Sequence, residues 1–121
     1  MKRVRALIAE SFAQRTVGLL MRSRLQPRAG IWFDRCSTVH SLGMRMAIDL
    51  VFLDQDFRIV RTMTAWGPSR VAHCSRATSV LELASGVLNQ LQWRVGDQLH
   101  CGNPNSFLRR RATWRTMILS P

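Results

Sequence analysis

VHSLGMRMAIDLVFLD, residues 39–54, decides how this chain is read. Its front half is polar and carries His40, Ser41 and Arg45, while its back half, residues 48–53, is apolar apart from Asp49. β-Branched and aromatic side chains fit a pleated, packed surface, so the back half is expected to be a strand. Side chains alternate along a strand, which puts Ile48, Leu50 and Phe52 on one face and Asp49, Val51 and Leu53 on the other. A carboxylate among Val and Leu is costly to bury unless it is paired. Asp49 is therefore the residue to explain, with Arg45 and His40 upstream as its candidate companions.

Working outward, Asp54-Gln55-Asp56 suits a turn, and residues 57–64 return as a β-branched strand, giving the best hairpin in the chain. Upstream, residues 4–9 read as a first strand. Ser11 and Gln14 fit a capping box that opens a helix ending near Ser23. Residues 30–33 form a short strand, and residues 36–40 lead into the opening stretch. Downstream, a loop from Trp66 runs to about Ala77, followed by a strand over 78–83, a short helix over 86–93, a turn at Gly96-Asp97 and a closing strand over 98–101. Short strands without βαβ alternation predict a mainly β fold. The expected architecture is a compact antiparallel β-sandwich or partly open barrel, with one or two short helices packed against it. Residues 1–102 are expected to form this single domain. Composition changes at Asn103, so residues 103–121, with FLRRRATWRTMIL, read as a basic C-terminal tail. Such a tail either packs locally or offers a basic amphipathic segment to a partner protein or membrane surface.

At 121 residues the chain is long enough for one real core, and 46% hydrophobic residues argue against disorder. Its formal net charge is +11, and 17 of its 18 basic residues are Arg. Arginine holds carboxylates and phosphates with a planar fork, so acidic partners are indicated. Charge alone admits nucleic acid, but no RNA-recognition signature, zinc-finger spacing or helix-turn-helix accompanies it. The basic start is followed by an apolar run only over residues 6–9, too short for a secretory signal, and no run reaches transmembrane length. A soluble cytoplasmic protein is expected. Three widely spaced cysteines fit reduced thiols better than a disulfide framework.

Glu82, in Val80-Leu81-Glu82-Leu83, is a second acid inside an apolar strand, and alternation puts it beside Val80. If Asp49 and Glu82 point into one cavity, Arg22 and Arg45 are the natural counter-charges. Arg22, His40, Arg45, Asp49 and Glu82 would then line a polar pocket for a small anionic or hydroxylated ligand, such as a carboxylate or sugar. The same carboxylate pair would suit a small hydrolase. A structural ion-pair network fixing strand register is the other reading. Cys36 and His40, His73-Cys74 and His100-Cys101 lack the tight spacings of zinc sites, so neither a metal nor a cofactor is expected.

Gly18-Leu19-Leu20-Met21-Arg22, the stretch from His40 to Leu53, and Val80-Leu81-Glu82-Leu83-Ala84-Ser85-Gly86 occur in an order that resembles the prokaryotic family called domain of unknown function 192. Gly96-Asp97 follows at the expected place. The resemblance covers roughly residues 3–101; single motifs are weakly specific, their order much more so. It implies a compact β-rich fold and brings no established activity, cofactor or catalytic residue. Leu20 stands where the family usually has Met, Leu42-Gly43-Met44-Arg45 replaces a common Phe-Trp-Met version, and Ala47 takes a place often held by Pro. A ligand role resting on the aromatic pair would not transfer. Many relatives are exported or lipid-anchored, and the basic tail looks external to the shared domain.

Overall fold

The computed structural model describes residues 3–8, 29–40, 47–67, 70–102 and 114–119. In chain order these form β1 (Arg3–Ile8), β2 (Ala29–Asp34), β3 (Thr38–His40), β4 (Ile48–Leu53), β5 (Ile59–Trp66), β6 (Val71–His73), β7 (Ser79–Ala84), the helix α1 (Val87–Leu91), β8 (Leu99–Gly102) and β9 (Trp114–Leu119). Seven strands make one sheet in the order β5-β4-β7-β2-β1-β9-β8, and β3 pairs with β6 in a second, two-stranded sheet.

β4 explains its own sequence. It lies between β5 and β7, and all six of its residues are buried. A strand covered on both faces needs apolar residues at nearly every position, as residues 48–53 supply. Its alternation is as read: Ile48, Leu50 and Phe52 enter one core cluster, and Val51 and Leu53 the other. The β4–β5 hairpin forms antiparallel, and Asp54 shapes its turn by accepting the amides of Asp56 and Arg58 at 2.9 Å each. Register shifts between Ile48 and Leu50, and again between Phe52 and Leu53, mark bulges in β5. Bulges bend and twist a strand, and here they accompany a curled sheet.

That curl brings the outer strands together. Arg58 bridges Gln98, the Ile59 amide donates to Asp97 O at 2.7 Å, and the Leu99 amide donates to Phe57 O at 2.8 Å. Among the described residues β5 and β8 remain the two ends of the sheet, joined by a bridge and not by a ladder, so the barrel is partly open. Its inner cluster takes Ile59 and Leu99 from the two edges, Trp32, Leu81 and Met117 from between them, and Val87, Leu88 and Leu91 from α1. On the other face, Val39 of β3 and Ala72 of β6 join Ile31, Leu50, Phe52 and Val80, so the small sheet covers the outside of the barrel. The expectation of a mainly β, largely antiparallel fold with a short helix therefore describes the molecule.

Other features differ from the sequence reading. β1 and β2 pair in parallel, with Ala6 opposite Gly30, although no crossover unit was expected. The expected first helix lies within residues 9–28, outside the described residues. The loop expected after Trp66 contains β6, short enough to be hidden between Gly67 and Cys74. Residue 102 is not a boundary of the sheet: β9 lies between β1 and β8, with Val4 opposite Met117 and Cys101 opposite Met117 on its other side. Met117 is wholly buried, so the segment read as a tail supplies part of the core. The physical reason is the apolar pattern of Trp114, Met117, Ile118 and Leu119, which the preceding arginines mask in composition. Residues 103–113, including the arginine run, lie outside the described residues.

Candidate functional site

Asp49 is buried to 0% exposure. Its Oδ1 accepts the Ala65 amide at 2.9 Å, and its Oδ2 accepts the amides of Gly86 and Leu88 at 3.0 Å each. Each hydrogen bond meets a local need. Ala65 sits at the β5 bulge opposite Asp49 with φ 49°, a conformation that turns its amide out of the ladder. Gly86 is the N-cap of α1, with φ 93° and no side chain to cap the helix. An N-cap side chain ordinarily accepts the amide of the second or third helical residue. Asp49 does so from a neighbouring strand by taking the Leu88 amide. The acid thus ties the bulge in β5 to the start of α1.

Glu82 is equally hidden, at 2% exposure, but elsewhere. In the antiparallel pairs of β7, Glu82 stands opposite Leu50 on β4 and Ile31 on β2, whereas Asp49 stands opposite Leu83. Residues opposite each other in such a pair point to the same side. Glu82 therefore belongs with the outer cluster of Ile31, Leu50 and Val80, and Asp49 with the inner one. The expected shared pocket is not formed. A one-residue difference in register puts the two carboxylates on opposite faces of one sheet, which removes the carboxylate-pair hydrolase with it.

His40 is half-buried on β3, opposite Val71 of β6. Its neighbour Val39 enters the outer cluster, so alternation sets His40 on the other side of β3. Arg22 and Arg45 lie outside the described residues. The structure thus places Asp49, Glu82 and His40 in three separate environments. Neither Glu82 nor His40 is without a partner.

Sequence reasoning passed over two other groups. The indole N–H groups of Trp32 and Trp93 are buried in the inner cluster without a hydrogen-bond acceptor among the described residues, and the Trp32 ring leans on Phe57 at 5.6 Å between centroids. It also passed over Thr38, whose hydroxyl shares a 2.6 Å hydrogen bond with His73 Nδ1 across the small sheet. Cys36 and Cys74 are half-buried thiols outside any disulfide among the described residues, Cys36 Sγ donating to Thr38 O at 3.0 Å, and among the described residues no three of His, Cys, Asp or Glu gather as metal ligands would. Among the described residues, no helix is long and apolar enough to cross a membrane.

A curled, partly open sheet with a short helix packed on its inner cluster and a small covering sheet defines a β-rich domain class. Within it, the family model DUF192, described as "Uncharacterized ACR", matches residues 1–101, and the chain belongs to that family. It is 30% identical over 99 residues to UPF0127 protein PH1112 of Pyrococcus horikoshii, covering 76% of this chain and 83% of that protein. Two solved structures share the fold. One is a protein of unknown function from Novosphingobium aromaticivorans, with a TM-score of 0.67 and 22% identity over 77% of this chain and 71% of that one. The other is a proposed transcription regulator from Sinorhizobium meliloti, with a TM-score of 0.66 and 24% identity over 81% and 91%. β9 lies beyond the residues that the family model matches.

Proposed function

We propose that the protein is a small binding or accessory module whose ligand site lies on the outer side of the barrel, around Glu82. The observation that carries this reading is the position of Glu82: a carboxylate at 2% exposure in an otherwise apolar cluster, beneath the small sheet. Asp49 has its acceptors taken up by three backbone amides and belongs to the scaffold. In this reading Glu82 is the recognition acid, and Arg22 and Arg45, which lie outside the described residues, are its proposed counter-charges. A carboxylate and arginine forks together suit a small ligand that offers hydroxyl donors and an anionic group, such as a sugar acid or hydroxy acid.

A thermal-shift panel of small carboxylates, hydroxy acids and sugars tests this on the wild type, Glu82→Gln and Arg45→Ala. At least one compound is expected to raise the wild-type Tm, through preferential binding to the folded state, and to lose most of that shift in both variants. A panel without effect on the wild type, or an undiminished shift in Glu82→Gln, would overturn the proposal.

A further inference from the structure

The acids of this chain are unevenly placed. Of the seven, Glu10 lies outside the described residues, and Asp49 and Glu82 are buried. Asp54, Asp56 and Asp97 gather near the seam between β5 and β8, where Asp97 accepts the Arg94 amide at 2.9 Å and Arg58 donates to Gly96 O at 2.9 Å. Arg58 and Arg94 therefore stand among acids. Over the small outer sheet the balance reverses. Arg70 and Arg76 are exposed just before and just after β6, the latter in the turn closed by the Ala77 amide on Cys74 O at 3.0 Å. Arg61, exposed on β5, reaches β6 and donates Nη1 to His73 O at 3.0 Å. Arg35 is held near the Arg76 turn because the next amide, Cys36, donates to Thr78 O at 2.9 Å. Asp34 is the described acid beside this group, and its Oδ1 accepts the Arg35 amide at 2.9 Å.

We infer that this face, formed by Arg35, Arg61, Arg70, Arg76 and His73 along β6, binds the phosphate backbone of nucleic acid. The inference is independent of the ligand site at Glu82. Arg70 and Arg76 are at most about 20 Å apart along an extended chain, a length that several successive phosphates of one strand would occupy. Arginine forks and an exposed imidazole are donors to phosphate oxygens, and hydrogen bonds of that kind position a backbone without reading its sequence. The apolar content of the face selects against other partners. Val71, at 67% exposure, is its one large exposed hydrophobic group among the described residues. A membrane-surface binder buries a broad apolar face, and a protein interface needs aromatic or aliphatic anchors at its centre.

The experiment compares two triple variants with the same charge change, Arg61→Gln/Arg70→Gln/Arg76→Gln and Arg3→Gln/Arg58→Gln/Arg94→Gln. Folding of each is checked by thermal melting. Binding to a short fluorescein-labelled DNA duplex and to the matching single strand is followed by anisotropy over a range of salt, with anionic phosphatidylglycerol vesicles as a parallel arm. The wild type is expected to bind DNA with affinity falling steeply in salt. The β6 variant should bind roughly tenfold or more weakly, with a salt slope shallower by about one unit for each phosphate that is no longer neutralised. The control variant should stay within about threefold of the wild type, in keeping with weaker long-range attraction alone. Equal reductions in the two variants, no wild-type binding to DNA, or binding to vesicles alone would overturn the inference.

Discussion

A carboxylate at position 49 has no water to turn to, and three amides in its surroundings would otherwise have no acceptor in the ladder or the helix. Joining the two needs solves both, since hydrogen bonds to a charged group contribute about 1.5–3 kcal/mol each and orphaned buried donors cost about 1–3. Asp49→Ala is therefore expected to destabilise the fold by about 3–5 kcal/mol in chemical denaturation, and Asp49→Asn by about 2–3, because its amide turns a donor toward a donor. Gly30 is a second sensitive position. A Cβ there would lie 2.8 Å from the backbone O of Glu82 and 2.8 Å from Leu83 Cδ2. The carbonyl cannot yield without disturbing the β2–β7 ladder, so Gly30→Ala should cost about 1–3 kcal/mol. Ala65 holds φ 49°. Ala65→Gly should leave stability within about 1 kcal/mol of the wild type, while Ala65→Val should lower it, because a β-branched side chain disfavours that backbone. The anomaly of Asp49 was legible in the sequence, and so was its face. Its task was not, because it depends on a helix 37 residues away in the chain whose N-cap is a glycine.

At the scale of elements, local pairing was legible and distant pairing was not. The β4–β5 hairpin announced itself through two apolar runs around Asp54-Gln55-Asp56, and α1 through its apolar spacing after Gly86. The face of Glu82 followed from alternation with Val80. Whether that face coincides with the face of Asp49 depends on the register between β4 and β7, strands separated by β5 and β6, and no local pattern fixes it. β9 was hidden for a different reason. Its pairing with β1 joins the two ends of the chain, and its apolar residues follow a run of arginines. Met117→Ala is expected to cost about 2–5 kcal/mol, as for other buried methionines. Ending the chain at Gly102 should cost more and promote association, because β1 and β8 would then present unpaired edges. Size-exclusion chromatography and melting of the truncated chain check this; an unchanged monomer with an unchanged Tm would mean that β9 is dispensable.

For the whole molecule, the consequence is a division of labour between two sides of one sheet. The inner side holds α1 through Asp49 and closes only at the seam of β5 and β8 among the described residues. The outer side carries Glu82 beneath β3 and β6, with arginines around them. The central claim is that the two mid-strand acids serve different sides and share no site. Amide hydrogen exchange tests it most directly, at Ala65, Gly86 and Leu88, in the wild type, Asp49→Asn and Glu82→Gln. Asp49→Asn should speed exchange at all three amides by more than it speeds exchange in β2 and β7, while Glu82→Gln should leave the three at the wild-type pattern. Wild-type protection of these amides in Asp49→Asn, or their selective loss in Glu82→Gln, would contradict the account.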